Sequence, residues 1–312
     1  MYKNNKLFLL LKTIFPLYIT MFTVCMLIIC IRLLYKKDVL VIIFETDLND
    51  AHLVKYEETL KKLCYRYKIL TDKKWKGFGG KIHNIHKYLL TLPQNQIVVI
   101  SDARDVLAVN YKSKELYEYV YDKLDHNIIV SSEIGCCVNT FDYKPGELIK
   151  GHYQNKQNKN FVSAEEWKSM FKQRAMQEQV SVSGYKNSIH LNAGLYIGKV
   201  KNITKVYRLM NIRETDDDQF FMSEIFNTYP NLIKLDYYRF IFSNSHVWDT
   251  NNKEKNIIAD NGCFYIKQDR KIIDTITNTV PFFIHTPGKH FKCYDNVYDM
   301  TKIEYAKDAS HF

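Results

Sequence analysis

Short apolar stretches alternate with amphipathic stretches through the first half of the chain. Residues 39–44 and 97–100 are apolar or β-branched, which is typical of strands covered on both faces, and Lys68 to Leu70 can form a short second strand. Between them, residues 51–67 and 82–92 have apolar positions at helical spacing. This order of strands and helices predicts a parallel sheet with crossover helices. Because ligands of such sheets bind at the carboxyl ends of the strands, the residues after the first and third strands are candidates for a binding site.

The second half of the chain has a less regular pattern. In chain order it predicts a helix at 114–124, strands at 128–131 and 195–198, a helix at 219–227, a strand at 231–235 and a last apolar run at 282–285. The polar excursion 145–184 is either an insertion on the acceptor side of the site or a surface loop with one helix near 165–179. The whole pattern predicts a Rossmann-like α/β fold with a mixed, mainly parallel sheet flanked by helices.

The longest apolar stretch lies near the amino terminus. Residues 13–31 contain no charged side chain, and at about 1.5 Å per residue they can cross a hydrocarbon core of roughly 30 Å. A cleaved signal peptide would have a shorter apolar stretch ending in small residues, whereas Arg32 and bulky side chains follow here. The sequence therefore predicts a tail at 1–12, an uncleaved transmembrane anchor at 13–34 and a globular domain at 38–312.

Composition narrows the function classes. The net charge is +10 and the pI is near 9.0, but Lys and Arg are scattered without an arginine-rich block, so we expect no nucleic-acid partner. The cysteines show no CxxC pair or other zinc-ligand spacing. One or two disulfides are expected if the domain lies in an oxidising compartment, where Asn202-Ile203-Thr204 would be a usable glycosylation sequon.

Two carboxylates directly follow the predicted strand 97–100. Ser101-Asp102-Ala103-Arg104-Asp105 therefore emerges at the ligand edge of the sheet. A nucleoside diphosphate is a crowded anion, and proteins commonly bind it through a divalent ion held by one or two carboxylates. An aspartate that caps the following turn gives the same pattern, so this motif alone leaves both interpretations open.

Three later motifs have the same ambiguity. Asp216 to Asp218 open a predicted helix, where negative charge is favoured whether or not it serves a site. Asn192-Ala193-Gly194 is interpreted as a tight turn feeding a strand, where small residues let a ligand approach the backbone. His285 ends the last apolar run and precedes Thr286-Pro287-Gly288-Lys289, which fits contact with a metal and a phosphate, although a lone histidine is usually structural.

Together and in this order, these motifs resemble the glycosyltransferase domain of the procollagen lysyl hydroxylases and, more distantly, other enzymes with the GT-A fold. The likeness includes Glu45-Thr46-Asp47 after the first strand, Lys74-Trp75-Lys76-Gly77 after the second, and Gly79-Gly80-Lys81 at the next helix. It covers 39–289, with 145–184 matching poorly. The resemblance implies a GT-A-like domain that transfers sugar without hydroxylating lysine.

The resemblance also implies roles for individual residues. Asp102, Asp105 and His285 would ligate Mn²⁺ (or Mg²⁺), and Asp217 and Asp218 would act in catalysis, facing the transferred sugar or the acceptor hydroxyl. The residues expected at the nucleotide sugar are Thr46, Trp75, Lys81, Asp102, Asn192, Gly288 and Lys289. The segment after His285 is shorter than the family's glycine- and asparagine-containing version.

The expected activity is metal-dependent transfer of a hexose from a UDP-sugar to a hydroxyl of a protein or glycan, possible acceptors including collagen-like ones. The resemblance implies retention at the anomeric carbon, and both double displacement through Asp218 and front-face attack by the acceptor remain open.

The anchor, the sequon and the lumenal supply of nucleotide sugars predict a single-pass type II membrane protein of the ER or Golgi. Two other classes remain possible from the sequence. One is a membrane-tethered, non-catalytic binding protein with a degenerate transferase fold. The other is a basic protein that binds nucleic acid or lipid head groups at a membrane surface.

Overall fold

The computed structural model describes residues 21–24, 26, 37–133, 164–180, 188–245, 263–287 and 291–302. The chain divides into two compact units, Met1–Lys37 and Asp38–Phe312. Among the described residues, none of the helices has both the length and the apolar character that crossing a membrane requires. Most of the predicted anchor at 13–34 lies outside the described residues, so the anchor stays a prediction.

The second unit contains strands and helices in alternation. Its strands are β1 Leu40–Phe44, β2 Arg66–Leu70, β3 Ile97–Ser101, β4 Val106–Ala108, β5 Ile128–Glu133, β6 His190–Lys199, β7 Ile233–Leu235, β8 Phe242–Asn244, β9 Tyr265–Gln268, β10 Lys271–Asp274 and β11 Phe283–His285. Its helices are α1 Ala51–Lys62, α2 Phe78–Leu89, α3 Ser113–Val120, α4 Ala164–Gln177, α5 Val200–Met210, α6 Asp218–Thr228 and α7 Phe291–Lys302, with a 3₁₀ turn at Tyr121–Lys123.

The central sheet has six strands in the order β2-β1-β3-β6-β5-β7. β1 pairs in parallel with β2 and β3, and β5 pairs in parallel with β7. Only β6 runs against its neighbours β3 and β5 in this sheet of described strands. The sheet is therefore mixed and mainly parallel, which confirms the predicted α/β fold. The carboxyl ends of β1, β3 and β5 meet at one edge, where ligands bind in such folds.

Both faces of the central sheet are covered, as the continuous apolar strands predict. Along β1, Ile42 packs with α2, α5 and α6, whereas Val41 and Ile43 pack with α1, α3 and the second sheet. Alternate side chains of a strand point to opposite faces, so a strand covered on both sides must be apolar throughout. Full burial of each such side chain contributes roughly 1.5–3 kcal/mol to the free energy of folding.

A second sheet brings the end of the chain to the central one. β11 pairs antiparallel with β4 and parallel with β8. Because β4 begins immediately after Asp105, this pairing carries His285 to the loop that follows β3. A disulfide between Cys263 and Cys293 joins the segment before β9 to α7. Cys136 and Cys137 lie outside the described residues.

The observed elements differ from the predicted ones mainly in their bounds. α1 ends at Lys62, five residues before the predicted end, because Cys64 adopts a positive φ of 58° and turns the chain into β2. β6 is longer than the predicted 195–198, and the helix α5 that follows it was not predicted. The helix predicted near 165–179 is present as α4, while most of 145–184 lies outside the described residues.

Candidate active site

The loop after β3 is held from two sides. The Asp102 amide donates to the carbonyl of Gly194 on β6 at 2.8 Å, and the Thr286 amide donates to the Asp105 carbonyl at 2.7 Å. Within the loop, the Ser101 hydroxyl donates to the Asp102 carbonyl and accepts from the Tyr56 hydroxyl. The two carboxylates therefore project from a backbone that is fixed by its neighbours at both ends.

Asp102, Asp105 and His285 come together as predicted. Each offers a ligand atom, and these atoms lie within 4.8 Å of one another. His285 Nε2 lies 3.5 Å from Asp105 Oδ2 and 3.9 Å from Asp102 Oδ2. His285 is buried, and apart from this contact with Asp105 its ring nitrogens have no hydrogen-bond partner among the described residues. Two carboxylates and an otherwise unsatisfied imidazole can hold a metal ion.

The electrostatics of the three residues favour a cation between them. Burial raises the pKa of Asp102 and the nearby Asp105 charge raises it further, although the Lys81 cation opposes both. Burial lowers the pKa of His285, but the charges of Asp105 and Asp102 outweigh it and hold the pKa above its usual value. Carboxylates this close repel each other when ionised, and a bound cation would relieve that repulsion.

Gly194 leaves the space that the side chains of His285 and Asp102 occupy. A Cβ at this position would lie 2.3 Å from His285 Cε1 and 2.9 Å from Asp102 Oδ2. The prediction of a tight turn at Asn192-Ala193-Gly194 was wrong, because these residues lie inside β6. They form a bulge there: Ser131 pairs with Asn192, while the preceding Val130 pairs with Tyr196. The bulge brings the glycine backbone against the candidate metal site.

Lys81 connects the candidate metal site to α6. Its Nζ lies 2.7 Å from Asp218 Oδ2 and 3.1 Å from Asp102 Oδ1, and the side chain is almost completely buried. Burial lowers the pKa of Lys81, but the two carboxylates outweigh it and raise the pKa well above its usual value, so Lys81 remains a cation. The structure thus places Lys81 between two predicted site residues.

Glycines allow α2 to start close to the loop before α6. Gly77 caps the helix with a φ of +103°. A Cβ at Gly79 would lie 1.7 Å from the Arg213 carbonyl oxygen, and the Gly79 amide donates to the Asp216 carbonyl at 3.1 Å. Lys81 reaches the site because no side chain separates the first turn of α2 from that loop.

The three acids at α6 have different tasks. Asp216 pairs with Arg213, Asp217 accepts a hydrogen bond from the Phe220 amide as the N-cap, and Asp218 faces Lys81. Burial, followed by the nearby Asp218 charge, raises the pKa of Asp217 to about 6. The cap interpretation therefore holds for Asp217, and the catalytic roles of Asp217 and Asp218 stay predictions.

The other predicted binding residues lie at different depths. The Thr46 amide donates to Glu45 Oε1 at 2.7 Å, directly after β1. Trp75 is half-exposed and packs against Phe44 at the end of β1, with ring centroids 6.2 Å apart. Asn192 is buried and already bonded at both ends of its amide. Gly288 and Lys289 lie outside the described residues.

The sequence did not identify two buried carboxylates, Glu45 and Glu133, as individual site residues. Glu45 forms a bidentate ion pair with Arg104, at 2.7 and 2.6 Å, and so ties the loop after β1 to the loop after β3. Burial raises the pKa of Glu45, but hydrogen bonds from Arg104 and two backbone amides lower it overall. Glu133 is the last residue of β5 and accepts from Asn192 and Gln219. Glu45 directly follows an apolar strand, which is the signal that identified Asp102, whereas Ser131 and Ser132 separate Glu133 from the apolar residues of β5.

Comparison with known proteins concerns the family of the chain, and the matched residues include His285 but not Asp102, Asp105 or Lys81. Residues 138–298 match the family model described as the PLOD GT domain, the glycosyltransferase domain of procollagen lysyl hydroxylases. No curated protein matches. One similar solved structure is that of a glycosyltransferase involved in the glycosylation of the major capsid of PBCV-1. The two chains are 9% identical, the alignment covers 84% of this chain and 99% of the other, and the TM-score is 0.42. The family match spans half of the chain, so this protein belongs to the PLOD glycosyltransferase-domain family and carries a GT-A-like domain.

Proposed function

We propose that this chain is a metal-dependent hexosyltransferase. It transfers a hexose from a UDP-sugar to a hydroxyl of a protein or glycan, with retention at the anomeric carbon. The observation that carries the proposal is the convergence of Asp102, Asp105 and His285 beside the Lys81–Asp218 pair. This arrangement joins a candidate metal site to a carboxylate that can face a sugar. The proposal includes no nucleic-acid partner.

The donor set fits Mn²⁺ or Mg²⁺. Carboxylate oxygens suit hard divalent ions, and one imidazole is compatible with Mn²⁺. Asp102, Asp105 and His285 would hold the ion, which when bound would stabilise negative charge on the departing diphosphate. Thr46 and the backbone after β1 would hold uridine, with Trp75 at the rim, and Gly288 and Lys289 would add contacts to the phosphates. The fit is supported by the unsatisfied imidazole of His285 and the space above Gly194.

Lys81 and the two acids of α6 would shape the sugar site. Lys81 keeps its proton and holds Asp218 in place through a 2.7 Å ion pair. Asp218 in turn would orient the transferred sugar, and a carboxylate near the anomeric carbon also favours positive charge that develops there. Asp217 fixes the first turn of α6 as its N-cap. Retention is compatible with attack by Asp218 or with front-face attack by the acceptor hydroxyl.

A donor screen tests the activity. Purified protein is incubated with individual nucleotide sugars and candidate acceptors, with Mn²⁺ or with chelator, and released nucleoside diphosphate is measured. We expect release from a UDP-hexose that needs the metal. The variants Asp102→Asn and Asp105→Asn should lose this release while they stay folded. Asp125→Asn is the matched control, because Asp125 is an exposed carboxylate paired with Lys199.

The outcomes separate the candidate functions. Undiminished release in chelator, or wild-type turnover by either site variant, would reject the metal-dependent mechanism. Binding of UDP-sugars without turnover for any acceptor or water would favour a non-catalytic binding protein. Stereochemistry is read separately by NMR of the anomeric proton in the first product, and inversion there would reject retention alone.

We further propose that residues 1–12 are a cytosolic tail, 13–34 a membrane anchor, and 38–312 a lumenal catalytic domain in the ER or Golgi. The Cys263–Cys293 disulfide supports an oxidising compartment. We expect the domain to be protected from protease in sealed microsomes. Digestion by protease added outside would show that the domain faces the cytosol.

The predicted sequon is a poor reporter of this topology. Asn202 Nδ2 donates to the carbonyls of Leu124 and Asn127, at 3.1 Å each, and Thr204 is buried. A glycan would replace one of the two N–H groups of Asn202 Nδ2, so the nitrogen could no longer donate both hydrogen bonds. We therefore read the topology from the protease and from alkylation of the cysteines with and without reductant.

A further inference from the structure

Glu133 is a buried acid next to the candidate active site. It ends β5, its residue is 5% exposed, and it pairs across to His190 of β6. Burying a carboxylate is costly unless hydrogen bonds compensate for the lost water. Each of its two oxygens accepts such a bond from a side-chain amide: Asn192 Nδ2 donates to Oε2 at 3.0 Å and Gln219 Nε2 donates to Oε1 at 2.9 Å.

The two amides are themselves fixed by the β6 bulge. Asn192 Oδ1 accepts from the Gly194 amide at 2.9 Å, and Gln219 Oε1 accepts from the Ala193 amide at 3.1 Å. Since each amide oxygen must face a backbone N–H, each amide NH₂ must face Glu133. The position of Glu133 therefore requires two acceptor oxygens, which a carboxylate offers and a glutamine does not.

The clamped segments carry the two halves of the site. Gly194 accepts the Asp102 amide and lies against His285, so the bulge sets the position of the metal ligands. Gln219 directly follows Asp218, whose carboxylate reaches back to Asp102 through Lys81. One buried carboxylate thus joins the strand behind the metal site to the helix that carries Asp218.

We propose that Glu133 is a positioning residue for sugar transfer: by clamping the β6 bulge and the start of α6, it fixes the distance between the metal ligands and Asp218. This inference rests on the proposed function, because that distance matters only if both groups act on one substrate. Small displacements of reacting groups are expensive in rate, with about 1 Å costing on the order of a hundredfold.

A swap of the two partners tests the clamp. Glu133→Gln places an NH₂ group against the NH₂ of Asn192 or Gln219, and Asn192→Asp places a second carboxylate against Glu133. The double variant Glu133→Gln/Asn192→Asp again supplies an acceptor to every donor and keeps the net charge of the wild type. We expect each single variant to lower kcat by about ten- to a hundredfold, and the double variant to return to within about fivefold of the wild type.

Two further measurements distinguish positioning from plain stability. The dissociation constant for Mn²⁺, measured by electron paramagnetic resonance of the purified protein, should rise in each single variant and recover in the swap. Gln96→Ala is the matched control, because Gln96 Nε2 donates two backbone-directed hydrogen bonds at the amino end of β3, away from the site. It should lower the melting temperature and leave Mn²⁺ affinity and kcat unchanged.

Each outcome decides the inference. Recovery of kcat and Mn²⁺ affinity in the swap supports it. Single variants that lose melting temperature like Gln96→Ala, but keep kcat and Mn²⁺ affinity, would overturn it, as would a swap that restores melting temperature but neither of the other two. A wild type that neither binds Mn²⁺ nor turns over any donor is a different failure, since it rejects the proposed function itself.

Discussion

Replacing Gly194 by alanine should damage the candidate metal site by steric overlap alone. The backbone at Gly194 does not have a positive φ, so alanine adds a methyl group without a conformational penalty. That methyl carbon would lie 2.3 Å from His285 Cε1, whereas ordinary contact begins at 3.4 Å. The ring and the methyl group must therefore separate by about 1.1 Å more.

The size of the effect follows from this displacement. His285 is buried, so the movement overpacks its surroundings and should lower the free energy of unfolding by about 1–3 kcal/mol. Metal ligands must lie within about 0.2 Å of their preferred distances, so a ring moved this far is a poor ligand. We expect the dissociation constant for Mn²⁺ to rise at least about tenfold, equivalent to 1.4 kcal/mol, and kcat to fall by about a hundredfold.

Gly198→Ala is the matched control on the same strand. A Cβ there would lie 2.6 Å from Ile128 Cγ2 and 3.1 Å from Ile203 Cγ1, in the apolar core and away from the site. Both variants are examined by thermal melting and by titration with Mn²⁺. We expect the two variants to lose similar amounts of stability. Only the Gly194 variant should also lose Mn²⁺ affinity. If the Gly194 variant instead keeps wild-type affinity and turnover, Gly194 does not shape a metal site.

Three further predictions concern charge and covalent structure. Lys81→Met removes the cation between two carboxylates. Urea denaturation of the metal-free variant should show a free energy of unfolding about 3–5 kcal/mol lower than that of the wild type. A change below about 1 kcal/mol would contradict the ion-pair geometry. Because burial raises the pKa of Asp217 to about 6, the folded state retains a proton that the unfolded chain has released, and stability falls as the pH rises from about 4 to 6. Asp217→Asn keeps the helix cap, so it should be about 1–3 kcal/mol more stable than the wild type at pH 7.5 and about equal below pH 4, and the same difference at both pH values would refute this. Replacing Cys263 and Cys293 by serine opens a loop with a sequence separation of 30 and should lower the free energy of unfolding, measured by calorimetry, by about 3–4 kcal/mol. A wild-type melting temperature that does not change on addition of reductant would contradict this.

Local patterns of the sequence were sufficient for the central part of the fold. Continuous apolar runs predicted β1 and β3, because a strand covered on both faces has no polar side. The carboxylates after β3 were predicted to lie at the ligand edge for a similarly local reason, since a parallel sheet brings its carboxyl ends together. Strands β4, β8, β9 and β10 were not predicted, because three or four residues carry little periodic signal, and the equally short β7 and β11 were predicted only from the longer runs 231–235 and 282–285.

By itself, then, the sequence determined the α/β class, the edge of the sheet at which Asp102 and Asp105 lie, and the acids at the start of α6. Only the tertiary structure decided how these groups meet. His285 reaches Asp105 because β11 pairs with β4, and Lys81 neutralises Asp218 because glycines let α2 approach the loop before α6. Such contacts join residues more than a hundred positions apart, and local propensity holds no information on which distant partner will satisfy a buried charge or fill the space beside a glycine.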